Sequence, residues 1–179
     1  RSTLFPYTTL FRSALAWDNA VSNGKIMKDL WEEGVAEDED IVKFLIIIDE
    51  SHRWVNTKMP MILDLLIKYL REARKYFARI IFTSQSMRDY IPEGINAPNV
   101  DLIKVLFELT QYKFIFRQDS STVPLLNAIF NNALTYSQIE RIPFLGVGEN
   151  ILSISGDRSL HFKVWLSQRY EEKLFKGGK

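Results

Sequence analysis

The sequence predicts an α/β fold with a mostly parallel sheet flanked by helices, and three observations carry that prediction. The run from Val42 to Ile48 (VKFLIII) is almost continuously apolar and β-branched, the pattern of a parallel-sheet strand covered on both faces. A helical period follows from Pro60 to about Phe77, with Ile62, Leu66, Tyr69, Leu70, Ala73 and Phe77 on one face and Lys68, Arg71, Arg74 and Lys75 largely elsewhere. Ala78 to Thr83 (ARIIFT) is a second apolar run, so the order is strand, helix, strand, the unit of a right-handed parallel crossover. Pro60 in the first turn and the basic residues in the last turns agree with the polarity of that helix.

The remaining elements follow from local signals. Leu15, Trp17, Val21, Ile26, Leu30 and Trp31, with Gly24 between them, predict one or two amphipathic helices from Ala14 to about Trp31. Gly34 and the acidic run Glu37 to Asp40 form a solvated connection to the first strand. Beyond the second strand, Met87 to Tyr90 can start a short helix, and Pro92, Gly94 and Pro98 break a loop. Val100 to Leu109 reads as a helix and Tyr112 to Phe116 (YKFIF) as a third strand. Ser120 or Ser121 can cap a helix running to about Phe130, and Tyr136 to Ile142 makes a short further one. Asn150 to Ser155 and Ser159 to Leu166 form a β-hairpin around Gly156-Asp157, followed by a short helix from Gln168 to Phe175.

Composition narrows the chemistry. The 179 residues are 46% apolar and 25% charged, which fits a globular domain able to bury a core. The absence of cysteine excludes a disulfide scaffold, a thiolate nucleophile and any cysteine-ligated metal centre. The two histidines, His52 and His161, are far apart in sequence, so a metal is expected on carboxylate or phosphate oxygens. No apolar run approaches the roughly 20 residues of a membrane-spanning helix.

Residues 1–13, RSTLFPYTTLFRS, repeat TLF and RS and show no clear helical or strand period. Codon by codon, the segment matches the translation of a common short-read sequencing adapter. The natural sequence is therefore expected to begin at or before Ala14 and to continue upstream, with residues 14–179 as the genuine part. Without Arg1 and Arg12 the chain holds 21 basic against 22 acidic residues, so the formal charge of +1 becomes −1 and supports no argument for nucleic-acid binding.

The sharpest chemical feature is Phe44 to Glu50 (FLIIIDE), an apolar strand ending in two carboxylates. In parallel sheets ligands bind at the carboxyl ends of strands. There Asp49 can hold Mg²⁺ through its water shell, and Glu50 can accept the proton of a water attacking the γ-phosphate of ATP, the Walker B pattern. Strand-end Asp-Glu pairs also occur as caps for the following turn. The next strand ends in Thr83-Ser84-Gln85-Ser86, where the neutral amide of Gln85 can sense the γ-phosphate or the lytic water, or can simply belong to a capped turn.

FLIIIDESHRW, LLIKYLREARKY, FTSQSMRD, KFIFRQ and LTYSQIERIPFLGVGENILSISGDRSLHFKV together resemble the C-terminal ATPase domain of the VirB-four family of type IV secretion and conjugative-transfer ATPases. ALAWDNAVSNGKIMKDLWEEG is similar to the helical stretch before Walker B in the Gram-positive conjugative branch, so the resemblance covers Ala14 to about Phe175. It implies a RecA-like P-loop NTPase core related to the HerA and FtsK motors, truncated before Walker B and closed by a C-terminal β-hairpin. It further implies ATP and Mg²⁺ as cofactors, a homo-hexamer in the full-length protein, and other secretion components as partners on the cytoplasmic face of the bacterial membrane. Direct DNA contact is compatible with the family, although no basic patch with interleaved aromatics stands out here. By motif, Asp49 and Glu50 take the Walker B roles and Gln85 that of the strand-end glutamine.

Ring ATPases of this kind insert an arginine into a neighbour's site, and position in the motifs makes Arg74 and Arg117 the candidates. A solvated helix face or a surface ion pair accounts for either residue as well. One departure from the family dominates. No G-x-x-x-x-G-K-[ST] phosphate loop occurs in the chain, so the polypeptide is expected to hold half a nucleotide site and not to hydrolyse ATP alone. Two rival readings remain: a catalytically inactive, ATPase-like scaffold subunit, and a DExH-type helicase fragment suggested by Asp49-Glu50-Ser51-His52. Against the helicase, the next strand ends in Thr-Ser-Gln-Ser rather than a Ser-Ala-Thr-type motif.

Overall fold

The computed structural model describes residues 5–41, 43–130, 133–155 and 158–164, with side chains from residue 16 onward. The chain divides into two compact units, Arg1–Thr110 and Gln111–Lys179. The hairpin tip at Gly156-Asp157, Trp165 and the helix expected from Gln168 to Phe175 lie outside the described residues.

The first unit contains helix α1 (Phe5–Glu32), strand β1 (Phe44–Ile48), helix α2 (Pro60–Ala73), strand β2 (Ala78–Phe82), and helices α3 (Met87–Tyr90) and α4 (Val100–Leu109). β1 and β2 pair in parallel, with Phe44 opposite Ala78 and Ile48 opposite Phe82, so partners differ by a constant 34 residues. The crossover between them is α2, whose apolar positions Ile62, Leu63, Leu66, Ile67, Tyr69 and Ala73 are buried as the period predicts. The helix ends four residues before the expected Phe77. Arg74–Tyr76 tightens into a 3-10 turn, and Phe77 adopts left-handed angles (φ 57°), redirecting the chain into β2.

Beneath the carboxyl ends of the strands, Phe82, Tyr90 and Phe107 form an edge-to-face aromatic triad with ring centroids 5.4–6.4 Å apart. Such pairs add about 0.5–1.5 kcal/mol each beyond their buried area. Ile103 and Leu106 of α4 lie fully buried, and α4 packs on α2.

α1 is a single helix and begins earlier than the sequence period indicates. It takes in residues 5–13 because Pro6 falls in its first turn, where a missing N–H costs nothing, and Gly24 is its only glycine. That glycine has a packing role. α1 crosses the Arg74–Tyr76 turn so closely that a Cβ on Gly24 would lie 2.7 Å from Tyr76 Cβ, and nearer still to the Tyr76 carbonyl oxygen. Trp17 stacks on Tyr69 of α2 at 5.7 Å, and the Lys25 ammonium lies 5.2 Å from the Tyr76 ring centroid. The three contacts fasten α1 across α2 and the turn that leads into β2.

Two sheet expectations are corrected. β1 alternates rather than being covered on both faces: Leu45 is 54% and Ile47 65% exposed, and Ile81 on β2 is 48% exposed. Nor does Tyr112–Phe116 extend a mostly parallel sheet. In the second unit this strand, β3, pairs antiparallel with β4 (Glu149–Ile154), which pairs antiparallel with β5 (Arg158–Lys163). The architecture is mixed α/β, with a two-stranded parallel sheet and a separate three-stranded antiparallel sheet. A five-residue apolar run fixes a strand but not its partner, which is why the sequence leaves this pairing open.

The second unit buries Ile115, Ile151, Phe130, Ile139 and Leu145 among the antiparallel sheet, helix α5 (Val123–Phe130) and helix α6 (Tyr136–Arg141). The cap expected of Ser120 or Ser121 is made by Asp119, whose carboxylate accepts from Ser121 N–H at 2.8 Å and starts a 3-10 turn ahead of α5. Thr135 and Gln138 form a capping box on α6, and Gln138 Nε2 donates to Ser159 Oγ at 2.6 Å, tying that helix to β5. Among the described residues no helix is long and apolar enough to cross a membrane.

Gly24→Ala is expected to destabilise the chain by about 1–3 kcal/mol despite the better helix propensity of alanine, because the nearest obstructing atom is the backbone carbonyl oxygen of Tyr76. Asn23→Ala, on an exposed position of the same helix, is expected to leave the melting temperature unchanged or slightly raised. Thermal denaturation of the two variants checks the contrast.

Candidate functional site

Parallel pairing at a constant offset places the residues just after Ile48 beside those just after Phe82. The ladder continues past both strands: Thr83 N–H donates to the Ile48 carbonyl at 3.0 Å, and Ser51 N–H donates to the Thr83 carbonyl at 2.8 Å. Ser51 Oγ donates to the same carbonyl at 2.8 Å. With the serine proton so used, the Tyr90 hydroxyl 3.0 Å away donates to Ser51 Oγ. Burial raises the Tyr90 phenol above its ordinary pKa and keeps it a neutral donor. The ends of the two strands are thus fused through a buried serine above the aromatic triad.

On this platform Asp49 and Glu50 take different environments. Asp49 Oδ1 accepts from Thr83 Oγ at 2.5 Å and from Glu50 N–H at 2.9 Å. The Thr83 hydroxyl first, then the Glu50 amide, stabilises the carboxylate and lowers its pKa below the ordinary value, and burial opposes only weakly. Asp49 therefore stays ionised further into acid than a free aspartate does. Its Oδ2 has no protein donor among the described residues.

Glu50 adopts left-handed backbone angles (φ 50°, ψ 43°), unusual for a side-chain-bearing residue and worth about 1 kcal/mol or more of strain. That conformation starts the 3-10 turn Ser51–Arg53 and turns the Glu50 side chain toward the end of β2. There Gln85 Nε2 donates to Glu50 Oε1 at 2.6 Å. On the other oxygen, His52 Nδ1 lies 3.3 Å from Glu50 Oε2.

Three of the five sequence-predicted residues, Asp49, Glu50 and Gln85, therefore meet in one exposed cluster. In this arrangement the Gln85 amide is committed to Glu50, a contact the sequence reading did not anticipate. Arg74 lies in the turn that enters β2, at the opposite end of a five-residue strand, roughly 16 Å along the sheet from the cluster. Arg117 belongs to the second unit. It is exposed just after β3 and lines a concavity with Gln118, Asp119, Ser120, Pro143 and Phe144. Thr83, Ser51 and His52 are the members that sequence reasoning did not assign. The signal for Thr83 was present, since an offset of 34 residues pairs Asp49 with Thr83 as soon as the two strands are aligned.

Comparison with known proteins adds two likenesses. The chain is 33% identical, over 92% of its length, to the uncharacterized protein pXO2-09 of Bacillus anthracis. It shares the fold of VirB4 of Thermoanaerobacter pseudethanolicus with a TM-score of 0.60 and 21% identity over 76% of the chain. The chain spans about a quarter of the first protein and a third of the second. No protein-family model matches it.

Replacing Thr83 with valine removes the principal donor to Asp49. The Asp49 pKa is expected to rise toward the ordinary aspartate value, measurable by carboxyl-carbon NMR titration. An unmoved Asp49 would assign the depression to the Glu50 amide alone.

Proposed function

We propose that the chain is the Walker B half of the ATPase domain of a conjugative-transfer or type IV secretion motor, belonging with the VirB-four proteins. The observation that carries this reading is the cluster at the carboxyl ends of two adjacent parallel strands, where Asp49 and Glu50 of β1 are tied to Thr83 and Gln85 of β2. The VirB4-like fold supports it.

The donor set fits a particular kind of metal binding. One ionised carboxylate with an oxygen free of protein donors, and no group of three or more metal-ligating side chains among the described residues, suits a Mg²⁺ carried mainly by phosphates and water rather than a protein cage. Asp49 would hold that ion, which when bound would offset charge on the nucleotide phosphates. Glu50 accepts the proton of the attacking water at an oxygen that retains a lone pair. Gln85 aims the Glu50 carboxylate from the neighbouring strand.

Residues 14–179 are proposed as the C-terminal part of a RecA-like domain, with residues 1–13 not native to it. The exposed apolar face of Leu45, Ile47 and Ile81 supports this, since contiguous exposed aliphatic positions on a sheet mark a surface that another element covers. The remaining context follows from the family: ATP as cofactor, a hexamer acting with other secretion components on the inner face of the membrane, and Arg74 or Arg117 reaching a neighbouring subunit's nucleotide.

In the complete natural protein, Glu50→Gln is expected to reduce ATP turnover by about a hundredfold or more while leaving nucleotide binding intact, because it removes the proton acceptor and keeps the shape. Phosphate release and nucleotide titration on the same preparation check both halves. Undiminished turnover would remove Glu50 from its role, and a complete protein that neither binds nor turns over ATP would favour the scaffold reading.

A further inference from the structure

The cluster contains a polar side chain with no part in the chemistry above. His52 Nδ1 lies 3.3 Å from Glu50 Oε2 and 3.3 Å from Ser84 Oγ. The hydroxyl of Ser84 donates to Asp89 Oδ2 at 3.2 Å, with the Ser86 carbonyl a weaker acceptor at 3.5 Å, so Ser84 presents a lone pair to the imidazole. An ionised Glu50 is acceptor-only as well. With the Ser84 proton given to Asp89 and Glu50 ionised, both neighbours of Nδ1 are acceptors, and this arrangement favours the Nδ1–H tautomer of a neutral His52.

The supports of this imidazole are themselves fixed. Asp89 Oδ2 also accepts from Ser86 N–H at 3.1 Å, closing the capping box that starts α3. Asn56 Nδ2 donates to the His52 carbonyl at 2.7 Å, and the residue before His52 is the serine that fuses the strand ends. His52 is thus anchored on both sides of its backbone and through Ser84 to α3.

We propose that His52 is a positioning residue for Glu50. Its Nδ1–H holds Oε2 while Gln85 holds Oε1, so that the carboxylate cannot rotate and its free lone pairs keep one direction. The carboxylate is gripped from two elements, the turn after β1 and the loop after β2, and a shift of either re-aims the base. This inference rests on the reading of Glu50 as the proton acceptor, and two measurements separate its failure from the failure of that reading.

The first needs no nucleotide. Long-range ¹H–¹⁵N NMR of the imidazole in this chain, at alkaline pH, is expected to show the Nδ1–H tautomer, and to lose that preference in Ser84→Ala combined with Glu50→Ala, which removes both acceptors. An Nε2–H signature in the unsubstituted chain would overturn the proposal whatever the activity of the complete protein.

The second uses the complete natural protein. His52→Ala is expected to lower kcat for ATP by about tenfold to a hundredfold with KM changed by less than about twofold, the cost of a base misaimed by a fraction of an ångström to one ångström. His52→Asn places an amide N–H where Nδ1–H stood and is expected to recover most of kcat. His52→Gln, whose amide reaches toward the Nε2 position, is expected not to. Equal rates for the asparagine and glutamine variants, or an unchanged kcat in His52→Ala, would overturn the clamp while leaving the ATPase reading in place. An inactive unsubstituted protein would remove the ATPase reading and leave the tautomer as the deciding result.

Discussion

The candidate site depends on a single carbonyl oxygen. Thr83 O, one residue beyond β2, accepts both the amide and the hydroxyl of Ser51, three residues beyond β1. A carbonyl with two lone pairs can take two donors, and both come from one buried side chain and its own backbone. Two strands that would otherwise fray apart at their ends are held in register past the last ladder pair. Everything that bears chemistry hangs from this point: Asp49 through the Thr83 hydroxyl, Glu50 as the strained residue directly before Ser51, and Gln85 two residues after Thr83.

Strain and packing balance around it. Glu50 is held in left-handed angles by a turn whose far side is anchored to Tyr90, both through the Ser51 hydroxyl and through Thr57 N–H donating to the Tyr90 carbonyl at 3.0 Å. Tyr90 in turn is packed edge-on between Phe82 and Phe107. A net contribution of about 1 kcal/mol per hydrogen bond, over several bonds in a partly buried cluster, is enough to offset one strained residue. The polar face of the cluster stays exposed while its base is rigid, as a site that must meet a ligand without rearranging requires.

Much of this was legible in the residues and the rest was not, for identifiable reasons. The helices α2, α3 and α4, the strand pair and the strand-end carboxylates follow from period, proline placement and the length of the apolar runs. The strand offset was also within reach, since aligning FLIII (Phe44 to Ile48) with ARIIF (Ala78 to Phe82) puts Asp49 beside Thr83. Burial on both faces of β1 was not, because a run such as Leu45 to Ile48 has no polar residue to show which face is open. The partner of Tyr112–Phe116 was hidden for a related cause: pairing is decided by chain segments some 40 residues apart, and nothing local encodes it. The histidine was visible but ambiguous, since D-E-S-H spells a helicase-like box, and only the placement of Ser84 and Glu50 around its Nδ1 shows a different local environment.

The central claim is that the fused ends of β1 and β2 form the hydrolytic side of a nucleotide site. A structure of the complete natural protein bound to Mg²⁺ and a non-hydrolysable ATP analogue tests it most directly. The account predicts that the Asp49 carboxylate would hold the metal through its water shell, with the Glu50 carboxylate facing the γ-phosphate. A nucleotide bound elsewhere, with the Asp49–Glu50–Gln85 cluster unchanged and remote from its phosphates, would contradict it.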